Sequence, residues 1–442
     1  MSTSRRIAAL VVAVGLACAV GCGSSSPPPA PEPPAPKPQP LPVGDGSLIR
    51  RSNEPAPPPE SPPPPKPGEI VLPKDGGAWP WNLAAAPAPA ASRPVAISGY
   101  LYAESTTAGI VVSPSARLAV VLIAERVKDE EKMTRIVWCD LAAGAIRSEW
   151  KVKGNYAPLD MHPDGHRVLA VRPPGEGRTD QLELWTIDEP DRLGRKAWQP
   201  HDSLDVVANS DVLISGAAPD SNQADPARDI RWAAFAAGRV VSASRGGQLR
   251  VFDAGTLQRV GSIDALPSTP ALTPDGARVV FLTRAGAALL DPLDTKVVGV
   301  RSVGEAPADP ALAVSPDGKS LVCAGNGRAN VLDLTTGAVR ATAIPKLEVT
   351  RQGYRLAFGW AGDRHLLADR FLYDPARSEP VWDYGHIDRI LPRGRETWVT
   401  IRPGRETATL RSFVLPHPAV GAGGKPGRST VHANGIADAS ER

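Results

Sequence analysis

The sequence predicts an all-β fold made of repeated four-stranded units, and three observations predict it. A turn signal recurs at Ser113-Pro114-Ser115, His162-Pro163-Asp164-Gly165, Thr273-Pro274-Asp275-Gly276 and Ser315-Pro316-Asp317-Gly318. Proline presets φ and glycine accepts φ > 0, so each reads as a tight turn between two strands. Short β-type runs then alternate with turn signals from about residue 94 onward. Finally, an aspartate closes the third run of successive units at Asp140, Asp188, Asp253, Asp291, Asp333 and Asp374, with gaps of 48, 65, 38, 42 and 41 residues; a seventh unit reaches the same point near Phe413, 39 residues further on. A period near forty with β character corresponds to four strands per blade, so the expectation is a seven-bladed β-propeller.

Taken in chain order, residues 1–22 read as an export leader. Arg5-Arg6 precede an apolar run, Ile7 to Val20, of fourteen residues. A spanning helix needs roughly 20. Ala19-Val20-Gly21-Cys22, followed by Gly23-Ser24-Ser25-Ser26, resembles a bacterial lipobox. That resemblance implies that Cys22 is acylated, becomes the first mature residue and anchors the protein to a membrane of the cell envelope, facing the periplasm or the exterior; Cys18 is the competing site, inside the apolar run. Residues 23–94 hold 24 of the 48 prolines and read as a disordered proline-rich linker with polyproline II character. Within it, Trp79-Pro80-Trp81 is a candidate for docking on the domain edge.

Residues 95–418 are the expected propeller. The 65-residue gap is explained by an insert at about Ser203–Asp229, rich in Asp, Ala, Ser and Pro. The last unit runs out at Pro416-His417-Pro418 after three strands, whereas Val95–Tyr102 is a β run without a unit. A ring must hide its edge strands, so residues 95–103 are expected to supply the outer strand of the seventh blade. Gly394-Arg-Glu-Thr397 recurs as Gly404-Arg-Glu-Thr407, one strand plus a turn apart, and reads as a repeated hairpin bend. Residues 419–442 are glycine-rich and without period, and read as a disordered tail.

Trp138-Cys139-Asp140, Trp185-Thr186-Ile187-Asp188 and Val331-Leu332-Asp333-Leu334-Thr335-Thr336-Gly337, with the Pro-Asp-Gly turns, resemble WD40 repeats and the related TolB-like and YVTN-type bacterial propellers. The resemblance implies a platform for protein binding. A Trp-Asp dipeptide occurs only at Trp382-Asp383, outside the usual slot, and a Gly-His element only at Gly385-His386.

Chemistry is sparse. Fifty Lys and Arg nearly balance 47 Asp and Glu, without clustering, which excludes a nucleic-acid footprint. There is no Gly-x-Ser-x-Gly elbow. Asp317-Gly318-Lys319-Ser320 lacks the upstream glycine of a phosphate loop, since Ala313 stands there. His162 and His166 flank a turn, so they do not present the shared helical face that a metal pair four apart requires. No cofactor and no metal are expected. Cys139 and Cys323, on blades far apart, are expected as free buried thiols.

Propeller topology sorts the connections. Glu125–Thr134 and Arg172–Asp180 join second and third strands, and Ser203–Asp229 joins blade two to blade three, so all three fall on one face. Long loops on a rigid scaffold are where binding concentrates. Arg126, Lys128, Glu130, Arg172, Arg178 and Asp180 are therefore the candidate partner-binding residues. The expected role is a lipid-anchored, non-catalytic protein-interaction scaffold of the envelope. The alternatives are a propeller enzyme of lactonase or quinone-dependent type using the central channel, and an envelope-assembly subunit of TolB or outer-membrane-insertion type.

Overall fold

The computed structural model describes residues 68–428, apart from interior stretches of which the longest are 99–108, 127–131, 173–179, 202–228, 384–388 and 415–426. Every element among the described residues is a strand. Strand β1 (Val95–Ser98) precedes the first complete sheet. Sheet 1 is β2 (Gly109–Val112), β3 (Leu118–Arg126), β4 (Lys132–Asp140) and β5 (Ala145–Lys153). Sheet 2 is β6 (Ala157–Met161), β7 (Arg167–Arg172), β8 (Gln181–Asp188) and β9 (Arg192–Trp198). Sheet 3 is β10 (Ile230–Ala236), β11 (Arg239–Ser244), β12 (Gln248–Asp253) and β13 (Arg259–Asp264). Sheet 4 is β14 (Ala271–Leu272), β15 (Val279–Thr283), β16 (Gly286–Asp291) and β17 (Lys296–Arg301). Sheet 5 is β18 (Ala311–Val314), β19 (Ser320–Gly325), β20 (Arg328–Asp333) and β21 (Val339–Ala343). After a two-strand hairpin, β22 (Arg351–Gln352) and β23 (Arg355–Leu356), sheet 6 is β24 (Phe358–Ala361), β25 (His365–Ala368), β26 (Phe371–Asp374) and β27 (Glu379–Asp383). Sheet 7 takes β28 (Arg389–Arg393), β29 (Thr397–Pro403) and β30 (Thr407–Val414) from the end of the domain and β1 from its start. A last pair of residues, β31 (Gly427–Arg428), adds in parallel to β27. The architecture is thus seven four-stranded antiparallel units in meander order.

The aspartate period has a local cause. All six aspartates are the last residue of a third strand. At five of them the carboxylate accepts backbone N–H groups of the turn that follows: Ala143 on Asp140, Gly255 and Thr256 on Asp253, Leu293 on Asp291, Thr335 and Thr336 on Asp333, Ala376 on Asp374. These Asx-type bonds satisfy donors that the ladder leaves behind. They also hold the Asp140, Asp253 and Asp333 carboxyls below the usual range; at Asp140 the turn bonds and Arg147 outweigh the opposing effect of burial. The Pro-Asp-Gly turns are built alike in sheets 4 and 5, where Thr273 and Ser315 hydroxyls donate to Asp275 and Asp317 at 2.6 Å and accept the N–H of the next strand.

Neighbouring sheets share apolar seams. Val95, Ile97, Ala408 and Leu410 of sheet 7 pack on Ile110, Val112 and Val121 of sheet 1. Trp138 and Trp185 fill the seam between sheets 1 and 2. Comparable seams join sheets 2 and 3, 3 and 4, 4 and 5, and 5 and 6. β24 lies beside β28, so sheet 6 also meets sheet 7. Each fully buried aliphatic or aromatic side chain contributes about 1.5–3 kcal/mol, which makes these seams the main source of stability. Cys139 and Cys323 are free and buried in two of them, as expected, with thiols pushed up to about 12 by burial.

Over Val95–Ser98 the orphan run takes the expected outer place beside β30, with Val95 opposite Leu410 and Ser98 opposite Thr407; residues 99–103 of the expected strand lie outside the described residues. The two Gly-Arg-Glu-Thr copies bracket β29, one at each end. Two expectations are corrected. The linker does not extend to residue 94, because from Gly68 the chain is laid against the sheets as a strap. Glu69 bridges Ser262 in parallel, Gly77 bridges Gly299 in antiparallel, and Ile70 and Trp81 are buried. Gly77 has φ 71°, and a Cβ there would stand 2.2 Å from the Val298 carbonyl oxygen, so glycine is what lets the strap close on β17. The tail expected over 419–442 also contributes structure, through β31. Cys22 and the rest of the leader and linker lie outside the described residues.

Candidate functional site

Strand order fixes which connections lie together. In each sheet the connections between strands one and two and between strands three and four leave one end, the turn end. The connection between strands two and three and the link to the next sheet leave the other, the loop end. The β3–β4, β7–β8 and β9–β10 connections all leave the loop ends of sheets 1 and 2.

The first of these is shorter than the sequence suggests. β3 and β4 continue in register to Arg126 opposite Lys132, so the loop expected over 125–134 reduces to residues 127–131. Nine-residue strands form because the alternation continues: Leu122 and Ile136 pair on one face, Ile123 with Arg135 on the other. Glu125 is a strand residue, ion-paired to Lys151 at 2.8 Å. Arg126 ends β3, and exposed Arg172 ends β7 opposite Gln181. Lys128, Glu130 and Arg178 lie outside the described residues.

Asp180 is not a surface residue. It is 4% exposed, and its carboxylate accepts the N–H of Ile230 at 3.0 Å. Ile230 opens β10 just after residues 202–228, so Asp180 ties the end of one long connection to the end of the other. Its candidate role becomes positioning the loop end rather than touching a partner.

At the loop ends of sheets 1 and 2 is a buried polar cluster that the sequence did not signal. The Glu183 side chain, 4% exposed, accepts hydrogen bonds from Tyr156 Oη at 2.9 Å, Trp185 Nε1 at 2.8 Å and Arg195 Nη2 at 2.7 Å. Arg195 also lies over the Tyr156 ring, 5.1 Å from its centroid. Burial, then the bond to Glu183, raises the Tyr156 pKa. Thr134 completes the cluster: its hydroxyl donates to Gly154 and accepts the Tyr156 N–H. Each polar group here has a protein partner, which makes the cluster a rigid element at the loop ends of sheets 1 and 2.

Further along the loop ends, Arg231 on β10 reaches Asp309, between sheets 4 and 5, and Thr269, between sheets 3 and 4. His201 donates to or accepts from Ser242 Oγ at 3.0 Å, and Arg250 donates to the Pro200 carbonyl at 2.7 Å. Ser242 is fully buried, and burial followed by the Arg250 charge depresses His201 to about 3. A histidine of so low a basicity beside an unreachable hydroxyl is a packing pair, not a nucleophile and base. The signal for it in the sequence was a histidine at the end of sheet 2 and a serine at the centre of the next β run, which has no spacing to identify it.

His162 and His166 do not converge. His162 stacks edge-on against Phe235 at 5.0 Å and pairs with Asp164, while His166 stacks on Trp138 and meets the Ile187 carbonyl. Among the described residues no three His, Cys, Asp or Glu side chains group as metal ligands. The Trp382-Asp383 dipeptide falls in β27, a fourth strand. A comparison with known protein families finds no family model that matches this chain, and no curated protein sequence matches it.

Proposed function

We propose that the seven sheets are the blades of a WD40-like or TolB-like propeller, closed by β1, held at the bacterial cell envelope through a lipid on Cys22, and acting as a non-catalytic scaffold that receives a protein partner on the loop ends of sheets 1–3. Ring closure draws support from the run of contacts that passes through all seven sheets, with sheet 7 touching both sheet 6 and sheet 1. The partner face draws support from one observation above all: the β7–β8 and β9–β10 connections leave the same end of sheet 2, and Asp180 ties the end of one to the end of the other.

The test is capture of partners from detergent-solubilised membranes, with the native lipoprotein and with a chain lacking residues 206–226. The expected result is a protein captured by the native chain and lost or strongly reduced on the deletion, with the thermal melt of the domain unchanged. Equal capture by both sinks the assignment of the loop face. Separately, Cys22→Ser is expected to move the protein from the membrane to the soluble fraction; continued membrane retention removes the anchor.

A further inference from the structure

The strap makes a crossing that edge protection does not require. The Ala86 N–H donates to the Pro316 carbonyl, in the β18–β19 turn of sheet 5, at 2.8 Å. Four residues later the Ala90 N–H donates to the Ser115 carbonyl, in the β2–β3 turn of sheet 1, also at 2.8 Å. Arg93 then donates to Leu141 in the β4–β5 turn of sheet 1, and the chain enters β1. Four residues of extended chain span at most about 14 Å.

Sheets 5 and 1 are not neighbours. Sheets 6 and 7 separate them one way round, and sheets 2, 3 and 4 the other. Both turns follow first strands, and at five of the seven boundaries first strands lie side by side: β2 with β6, β6 with β10, β14 with β18, β18 with β24, and β24 with β28. First strands therefore converge on the axis of the ring. A chord this short between two such turns cannot follow the rim; it passes over the middle. We propose that residues 83–91 form a fixed cover across the turn-end mouth of the central channel.

The sequence suits that task. Leu83-Ala-Ala-Ala-Pro-Ala-Pro-Ala-Ala91 has small side chains that let backbone meet backbone, and prolines that resist collapse into the channel. The turn it meets is shaped for it. At Gly318 of sheet 5 a Cβ would stand 2.7 Å from the Leu83 carbonyl oxygen, whereas at Gly276, the same turn position in sheet 4, a Cβ meets nothing within 4 Å. The close approach is thus specific to the sheet from which the crossing starts.

The inference rests on the closed ring, and the experiment separates the two. Three cysteine pairs are placed in the full chain: Ala86→Cys with Pro316→Cys, Ala90→Cys with Ser115→Cys, and Ala96→Cys with Thr409→Cys, the last pair lying in register between β1 and β30. Each variant is treated with a short bis-maleimide, native and in urea, and the cross-links are mapped by peptide mass spectrometry. All three pairs are expected to join in the native protein, at least tenfold more than in urea. If the β1–β30 pair joins and the two strap pairs do not, the cover is wrong and the ring stands. If the β1–β30 pair fails, the ring itself falls and the cover with it.

Discussion

Trp81→Ala measures what holds the strap in place. Trp81 is 4% exposed and sits in the seam between sheets 4 and 5, with Val280, Leu289 and Leu321. Arg301 lies over its ring at 5.7 Å and donates to the Gly76 and Ala78 carbonyls. A buried tryptophan removes about 150–250 Å² from water, which at about 25 cal/mol per Å² is about 4–6 kcal/mol. Two corrections reduce this. Alanine keeps part of the burial, and the Trp81 indole N–H has no hydrogen-bond partner in the seam, a cost of about 1–3 kcal/mol that the substitution relieves. The expected loss is about 3 kcal/mol, more than a hundredfold in the docking equilibrium. Hydrogen exchange followed by mass spectrometry reads it directly. The Ala78 and Ala86 amides, which donate to Val298 and Pro316, are expected to be protected in the parent and to exchange at least about 100-fold faster in the variant. Protection unchanged within threefold would refute the reasoning, because it would mean that the apolar anchor contributes nothing to docking.

Other outcomes follow from the same contacts. Gly276→Ala and Gly318→Ala impose the same backbone strain, at φ 71° and 74°, costing about 1–2 kcal/mol each; Gly318→Ala is expected to cost more in urea unfolding and to deprotect the Leu83–Ala86 amides, and equal costs would remove the Leu83 contact. Asp180→Ala leaves the Ile230 N–H buried without its acceptor and is expected to lower stability by about 1–3 kcal/mol in urea unfolding and to weaken partner capture. His201 stays neutral in the fold down to about pH 3, while the unfolded chain takes up the proton near 6.5. Its contribution to stability is therefore complete above about pH 6.5 and is lost at about 1.4 kcal/mol per pH unit as the pH falls toward 3. Urea titrations from pH 7.5 to 5 are expected to show that slope reduced in His201→Asn, and an unchanged slope would assign it to other groups.

The repeat was legible because its cause is local. An aspartate that caps the turn after a third strand, and a hydroxyl that bonds two residues ahead in a Pro-Asp-Gly turn, act within a few positions, so they leave a period. β1 was legible by subtraction, as a β run without a unit beside a unit without a fourth strand. The strap was not. Glu69 meets Ser262 and Gly77 meets Gly299, each about two hundred residues away, and nothing in Gly68–Pro94 has a strand period; its prolines instead read as linker. Trp79-Pro80-Trp81 was the one hint, and Trp81 is buried. The loop end was misjudged for the same reason. Charged residues at 125–134 resemble a loop in composition, but cross-strand pairing carries β3 to Arg126 and starts β4 at Lys132, and Asp180 is buried with its carboxylate on a backbone donor fifty residues on.

The parity of the strands gives the functional reading its direction. With four strands in every unit, a connection's end of the sheet depends only on its place in the count, so insertions after second and fourth strands all accumulate at one end. Lengthening there costs little, since loop-closure entropy grows only as the logarithm of length. The opposite end is constrained by short capped turns, whose carbonyls are also the acceptors that hold the strap. Pro316 and Ser115 are turn residues first and strap contacts second. A long insertion in either turn would displace the crossing chain, and a freed crossing chain would leave Gly318 without the neighbour that its missing side chain accommodates. Short turns, a small-residue strap and long loops at the other end are therefore one arrangement. It leaves the loop ends as the ends of the sheets where the connections are free to lengthen.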